Sequence, residues 1–427
     1  MFDWLKKNRK YNILVIGEDS MLGHDVMNLL TRESYNRESC IGFVRGVGHD
    51  ELDITTQYAL DKLFCYDALG TNEFEHAQYD DPPHVEDCIR KLKKNGRGII
   101  FDFVVNCAAM TDTTAAETDH DLTLRSYAVN ALGPRFIAET CNRWGAHLIH
   151  ISTDYVFSEW TRAYKKFTES YSLCYPHDVE YPVNNYGMHK LLGELFIKQS
   201  MKPEEFAILR TSWLYGTWKN KSFIHKFLKN VKNAVETANL VETGIEDGPT
   251  KTDKSTKADK KVVDIEVNCN EYSVPTSTAD LAQMIYNAIK FKLSGVLHAC
   301  GLSDNGVTRL EWAERIIAGI KRCTHLFDVV SVVPPQSKME PVDSVDKEKK
   351  PTMHYPFSSN LGLYDILQAE NGDQSIRKKH VKLTQGVCGD WGHTLDAWIG
   401  NNVCQLLDWL KMDCFGVSCD KSELPRS

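Results

Sequence analysis

Tyr186 and Lys190 stand four residues apart in "NNYGMHKLLGE" (184–194). On an α-helix that spacing puts a phenol and an ammonium on one face, where they could act as a proton-donating pair. A Tyr and a Lys so spaced are expected about once by chance in a chain of this size, so the rest of the sequence must decide. A second stretch with chemical content is "GEDSMLG" (17–23). A βα turn that binds a dinucleotide needs glycines for the tight turn, for backbone approach to phosphate and for helix packing. The free N–H groups of the helix start then face the pyrophosphate. Gly17 and Gly23 hold the outer positions of such a pattern, with Ser20, Met21 and Leu22 between them. Ser20 stands where a glycine is usual, and Asp19 adds a negative charge near the phosphate position, so a plain strand–turn–helix stays open. Arg45 follows the second apolar run, where an acidic side chain suits NAD and a basic one NADP. Arg45 thus favours NADPH, with NADH as the second choice and a solvated loop Arg as the alternative.

These residues need elements to place them. "NILVI" (12–16) reads as a strand ending at Gly17, and "MLGHDVMNLL" as a helix with Leu22, Val26, Leu29 and Leu30 at helical spacing. "CIGFV" (40–44), a run within "GIIFDFVVNCA", "HLIHIS" (147–152) and "FAILRTSWLYG" (206–216) read as further strands. The near-continuous apolar run of the third suits a strand buried on both faces. "LRSYAVNALGPRFIAETCNRWG" reads as a helix interrupted at Gly133 and Pro134 and ended by Gly145. Strand and helix alternate, which predicts an α/β fold: a Rossmann-like, doubly wound parallel sheet. After residue 215 the alternation loosens around "STADLAQMIYNAIK", "GVLHAC", "TRLEWAERIIAGI" and a helical end, "HTLDAWIGNNVCQLLDWLKMD". The expected division is a nucleotide-binding domain over 1–215, with returning segments at about 262–300, and a smaller mixed α/β substrate domain over 216–427. Three polar stretches, 66–96, 235–261 and 337–351, read as surface insertions, and the composition of the second predicts disorder.

Totals set the class. The 427 residues suit two domains, and 42% hydrophobic with 25% charged is the profile of a globular protein. A net charge of −8, from 58 acidic and 50 basic residues, argues against a broad nucleic-acid-binding surface. No run of 18 or more apolar residues is present, so no membrane span is expected. The start of the chain makes a poor signal peptide, which points to a cytoplasmic protein. The 13 cysteines show neither a C-x-x-C pair nor zinc spacing. Reduced thiols and no metal site are expected.

Five motifs occur in order: "VVNCAAMTDTTAAE" (104–117), "ISTDYVF" (151–157), "PVNNYGMHKLLGE" (182–194), "LRTSWLYG" (209–216) and "VPTSTADLA" (274–282). Together they resemble the extended short-chain dehydrogenase/reductase superfamily, and within it the dTDP-4-dehydrorhamnose reductase family, from about residue 12 to about 400. The resemblance implies that Tyr186 and Lys190 are the catalytic pair, with Thr153 as hydroxyl partner and Asn130 supporting the catalytic helix. It places Ala108 and Ala109 beside the cofactor, Asp53 near the adenine, and Asp154, Tyr155 and Trp213 against the sugar; for Trp213, core packing is the alternative. On the catalytic helix, Met188, Leu191, Leu192 and Leu195 are expected to form the buried stripe, and Lys190 to lower the pKa of Tyr186. The implied reaction is NADPH-dependent reduction of the C4 ketone of a nucleotide-linked 4-keto-6-deoxy sugar.

The sequence departs from the family at several places. Its "D-x-A-E" stretch reads Thr114, Ala115, Ala116, Glu117, without the first acid; its "G-x-P-T" reads Ser273, Val274, Pro275, Thr276, without the glycine. Tyr355 and Pro356 stand where the family has Arg-Pro. A non-catalytic alternative is therefore a subunit similar to the regulatory β subunit of methionine adenosyltransferase, whose partner would be that enzyme's catalytic subunit. Another nucleotide-sugar epimerase, dehydratase or reductase is a further alternative. The oligomeric state stays open, a homodimer included.

Overall fold

The computed structural model describes residues 10–69, 90, 100–157, 176, 178, 180–243, 262–269, 272–303, 306–324, 327–335, 374–387 and 390–410. The chain opens with β1 (Tyr11–Ile16), α1 (Met21–Tyr35), β2 (Ile41–Val47), α2 (Gln57–Leu69) and β3 (Phe103–Asn106). α3 (Thr113–Thr118), α4 (His120–Tyr127), a π-turn over Ala128–Leu132 and α5 (Gly133–Trp144) lead to β4 (His147–Thr153). α6 (Asn185–Ser200), β5 (Phe206–Thr211), β6 (Leu214–Tyr215), α7 (Phe223–Thr243), β7 (Val263–Glu266), β8 (Tyr272–Ser273) and β9 (Thr276–Ser277) follow. The chain continues through α8 (Thr278–Phe291), β10 (Gly295–His298), β11 (Val307–Thr308), α9 (Arg309–Cys323), β12 (Val330–Val333), α10 (Gln374–Leu383) and α11 (Trp391–Trp409).

Six strands form one sheet in the order β10-β5-β4-β3-β1-β2, every pairing parallel. The expected Rossmann-like sheet is present. All four residues of β3 and all six of β5 are buried, because helices cover both faces. On one face α1 and α8 pack together through Val26, Leu29, Leu281, Ile285 and Ile289; on the other Leu60, Ile137, Ala138 and Ile197 close the core. The order reverses at β1, whose neighbours are β2 and β3. That switch point opens a crevice at the carboxyl ends of the strands, where doubly wound folds bind ligands.

A separate core gathers Ile224, Phe227, Trp312, Ile316, Leu395, Val403 and Leu406 from α7, α9 and α11. The two-stranded pieces β6–β9, β7–β12 and β8–β11 carry the chain across it.

Several expectations change. Arg45 lies inside β2, opposite Leu14, because that strand runs to Val47. The interruption at Gly133 and Pro134 is a π-turn joined directly to α5, since a proline in the first helical turn lacks only an N–H that would go unpaired. Gly145 ends α5 at φ 73°, as expected. α2 and α7 reach Leu69 and Thr243, into the first two polar stretches. The rest of those stretches, up to 89 (and 91–96) and from 244 to 261, lies outside the described residues, as do 337–351, Tyr355 and Pro356. Among the described residues no helix is long and apolar enough to cross a membrane.

Candidate active site

β4 ends at Thr153, and a short 3₁₀ turn, Asp154–Val156, follows. Thr153 caps that turn by accepting from the Tyr155 N–H at 3.2 Å. Its own hydroxyl donates to Asp154 Oδ1 at 3.1 Å. α6 starts nearby. Asn184 caps it by accepting from the Gly187 N–H at 2.7 Å. The Asn185 N–H donates to Glu117, and Asn185 Nδ2 donates to the Ala116 carbonyl at 3.0 Å. The glutamate that survives in the altered "D-x-A-E" stretch thus anchors the start of this helix. Gly187 permits the approach to the 3₁₀ turn, because a Cβ there would lie 2.2 Å from the Tyr155 carbonyl oxygen.

The result brings Tyr186, Thr153, Asp154 and Tyr155 together. Tyr186 stands beside Thr153, and its ring meets Tyr155 edge-on at 5.6 Å. Burial pushes the Tyr186 phenol up to about 12, with the Asp154 carboxylate adding to the rise and the Thr153 hydrogen bond opposing it. The expected lowering by Lys190 does not occur in this arrangement. Lys190 Nζ turns to β4 instead, donating to the Ile151 carbonyl at 2.6 Å and meeting His150 Nε2 at 3.3 Å. Burial lowers Lys190 to about 8, with Glu194 and Cys107 opposing.

The buried stripe of α6 also differs from expectation. Met188 and Leu195 are 44% and 48% exposed, and the buried positions are Gly187, His189, Lys190, Gly193, Glu194 and Ile197. The helix turns its functional and small residues inward. Glu194 accepts from Arg210 Nε at 2.9 Å, from Arg210 Nη2 at 2.7 Å and from the Ser152 hydroxyl at 2.6 Å. This buried ion pair was missed by reading the sequence; its one visible sign was an Arg inside the otherwise apolar run of β5.

Asn130 sits in the π-turn and clamps the loop after β3. Its Nδ2 donates to the Met110 carbonyl at 2.8 Å, and its Oδ1 accepts from the Met110 N–H at 3.1 Å. Asp154 is buried and accepts from the Ser273 hydroxyl at 2.5 Å, so the serine found in place of a glycine has a partner at the site. Trp213, at φ 36°, stacks on Trp312 at 5.5 Å, with the Arg309 guanidinium 3.8 Å from its ring centroid. It borders the second core.

At the switch point the glycine turn is built for a close ligand. Gly17 has φ 83°, a conformation that favours glycine, and its Cβ would lie 2.7 Å from the Ala108 N–H nitrogen. A Cβ on Gly23 would lie 2.1 Å from the Gly17 carbonyl oxygen. Ser20 fits where it stands, capping α1 by accepting from the Gly23 N–H at 2.9 Å. Met21 is half-buried beside it, while Leu22 is buried in the core and offers the turn only backbone. Ala108 faces Gly17 from the end of β3, and Ala109 beside it is exposed. These residues fit a dinucleotide. The β2 side is acidic: Arg45 pairs with Glu51, and the Glu18 carboxylate covers Gly46. Burial raises the Glu18 pKa, as do Asp19 and Glu51. Asp53 forms its own turn, accepting from the Thr55 N–H at 2.9 Å and the Thr55 hydroxyl at 2.7 Å. Trp218 stacks on His24 at 3.7 Å and donates to the Asp19 carbonyl at 3.3 Å, roofing the turn. Among the described residues no cluster of His, Cys, Asp and Glu could hold a metal.

The chain is 40% identical over 124 residues to dTDP-4-dehydrorhamnose reductase of Mycobacterium tuberculosis strain CDC 1551, covering 29% of this chain and 37% of that one. The match thus spans little more than a third of that relative. A dTDP-4-dehydrorhamnose reductase from Clostridium acetobutylicum superposes with TM-score 0.58 at 22% identity, covering 92% of this chain and 99% of the other. One from Bacillus anthracis strain Ames, solved with NADP, gives 0.55 at 22%, covering 88% and 98%. Both share the fold. The model of the RmlD substrate binding domain family matches residues 11–268, and with that match over more than half of its length the chain belongs to the RmlD substrate binding domain family.

Proposed function

We propose that the protein reduces the C4 ketone of a nucleotide-linked 4-keto-6-deoxy sugar, with NADPH as the preferred reductant and NADH as the second. The observation that carries this reading is Tyr186 set beside Thr153 at the carboxyl end of β4, with Lys190 one turn along the same helix. The names of the relatives, and the NADP in one of the solved structures, support the substrate class and the cofactor.

Gly17, Ser20, Met21, Leu22 and Gly23 would hold the cofactor, with Ala108 and Ala109 opposite, Arg45 and Asp53 at the adenosine end and Lys190 at the nicotinamide end. The reduced nicotinamide supplies a hydride. Tyr186 would then protonate the oxygen of the carbonyl as its carbon is reduced. A phenol at about 12 still protonates an alkoxide, whose conjugate acid resembles water at about 15.7. Thr153 orients the carbonyl, Asp154 and Tyr155 border the sugar, and Trp213 offers it an aromatic face. Asn130 holds the loop after β3 in place. We assign the cofactor to residues 1–215 with the returning segments, and the sugar to the remainder. The protein is assigned to the cytoplasm, and a homodimer is compatible with the reading.

The test is NADPH oxidation, followed by absorbance, with dTDP- and UDP-4-keto-6-deoxyglucose and their 3,5-epimerised forms. Turnover of any of them is the expected result. NADPH binding without turnover, together with co-purification with the methionine adenosyltransferase catalytic subunit, would move the assignment to a regulatory subunit.

A further inference from the structure

Beneath the catalytic pair runs a line of buried polar contacts whose direction can be read from one end. The Ala108 N–H donates to Asn106 Oδ1 at 3.1 Å. A backbone N–H can only donate, so the Asn106 amide is oriented with its oxygen towards Ala108 and its Nδ2 towards His150. Asn106 Nδ2 lies 3.1 Å from His150 Nδ1. The nitrogen Nδ1 is therefore the acceptor, and a neutral His150 carries its proton on Nε2. Nε2 faces Lys190 Nζ at 3.3 Å, and Nζ donates to the Ile151 carbonyl at 2.6 Å. Each link is satisfied only if Nζ keeps a lone pair, which an amine has and an ammonium does not. Asn106, His150 and Lys190 are all buried, so water does not compensate a mismatch.

We propose that Asn106 and His150 are positioning residues that favour the neutral amine of Lys190 in the cofactor-free site, and that cofactor binding, by drawing Nζ away from His150, takes up a proton. This rests on the functional reading above, in which a nicotinamide nucleotide binds beside Lys190. In the uptake, the lone pair released from the Nε2–H takes H⁺ from solvent, converting –NH2 to –NH3⁺. The groups that bear on Nζ are Glu194, one turn further along α6, Cys107 after β3, and His150 on β4; Arg210 on β5 acts through its pair with Glu194. Burial lowers Lys190 to about 8 and holds His150 neutral, both in keeping with the relay.

The sign follows. Below about pH 7 Lys190 is charged with or without cofactor, and little proton is exchanged. Above pH 8 the free site is largely neutral and the complex charged, so NADPH affinity falls as pH rises, by up to about tenfold per unit. Calorimetric NADPH titrations in buffers of different ionisation enthalpy should show uptake approaching one proton at about pH 9 and near none at about pH 6.5. His150→Leu keeps the burial but removes the opposing N–H, and should lose at least half of the uptake at pH 9. Asn106→Asp presents an acceptor to Nδ1, turns Nε2 into an acceptor, and should abolish it. Nitrogen NMR of the cofactor-free protein should find His150 protonated on Nε2, a reading that needs no variant to fold. Uptake in His150→Leu equal to that of the parent, or a proton on Nδ1, overturns the proposal. Uptake without sugar turnover sinks only the functional reading, turnover without uptake sinks only this one, and no NADPH binding sinks both.

Discussion

Tyr186 is the residue on which turnover should depend most. With its phenol held at about 12 it keeps its proton throughout the neutral range, so it acts as a donor that waits for the alkoxide. Tyr186→Phe should lower kcat by about 10² to 10⁴, the range for a positioned acid, while NADPH titration shows binding retained. Ser273 is a second test. Ser273→Ala removes a donor from the buried Asp154 carboxylate and should cost about 1–3 kcal/mol in denaturant unfolding. Arg45→Asp should weaken NADPH more than NADH in direct binding measurements; equal losses for both would remove Arg45 from that role. At this scale much was legible in the sequence. Tyr186 and Thr153 meet as the motifs imply, and Ser20 takes a cap position that its residue type favours. The direction of the Tyr186 shift was not legible, because it depends on burial and on Asp154, which only the folded chain brings near.

Among the elements, α6 shows why periodicity misled. Its apolar residues suggest a buried stripe through Met188 and Leu195, yet those are the exposed ones. The helix is instead oriented by Gly187, which lets it reach the 3₁₀ turn, and by Glu194, whose charge is compensated on the inward side by Arg210. A hydrophobic pattern reports transfer from water but carries no term for a buried ion pair supplied by another strand. Gly187→Ala should push α6 off the Tyr155 carbonyl, and we expect turnover to fall well beyond tenfold with a smaller change in NADPH affinity. Unchanged kinetics in that variant would show that the approach is not needed. The strands were easier to read, since a run buried on both faces needs no partner information.

Across the whole molecule, the Glu194–Arg210 pair ties α6 to β5 and sets an acid limit. Arg210 and the other donors hold Glu194 at about 2 against the burial that opposes ionisation. Its contribution to stability is complete above about pH 4.5 and is lost as pH falls towards about 2. Arg210→Met would leave the buried carboxylate with the half-exposed Lys198, at 3.4 Å, as its remaining charged partner. We expect a loss of about 3–5 kcal/mol at neutral pH and partial recovery as the pH falls. A melting curve against pH for both proteins checks the sign.

The sheet also dictates an order of events during synthesis. β10 is the last strand in sequence of the six-stranded sheet and pairs with β5 at its edge, while α8 covers α1. A ribosome that has released residues up to 268, the end of the family match, has exposed neither. Until then β5 offers unpaired backbone, and Val26 and Leu29 lack their cover, a state open to wrong strand pairing. A fragment ending at 268 should therefore aggregate, whereas one carried past β10 should present a finished sheet edge. Loss of solubility should track that boundary in a truncation series.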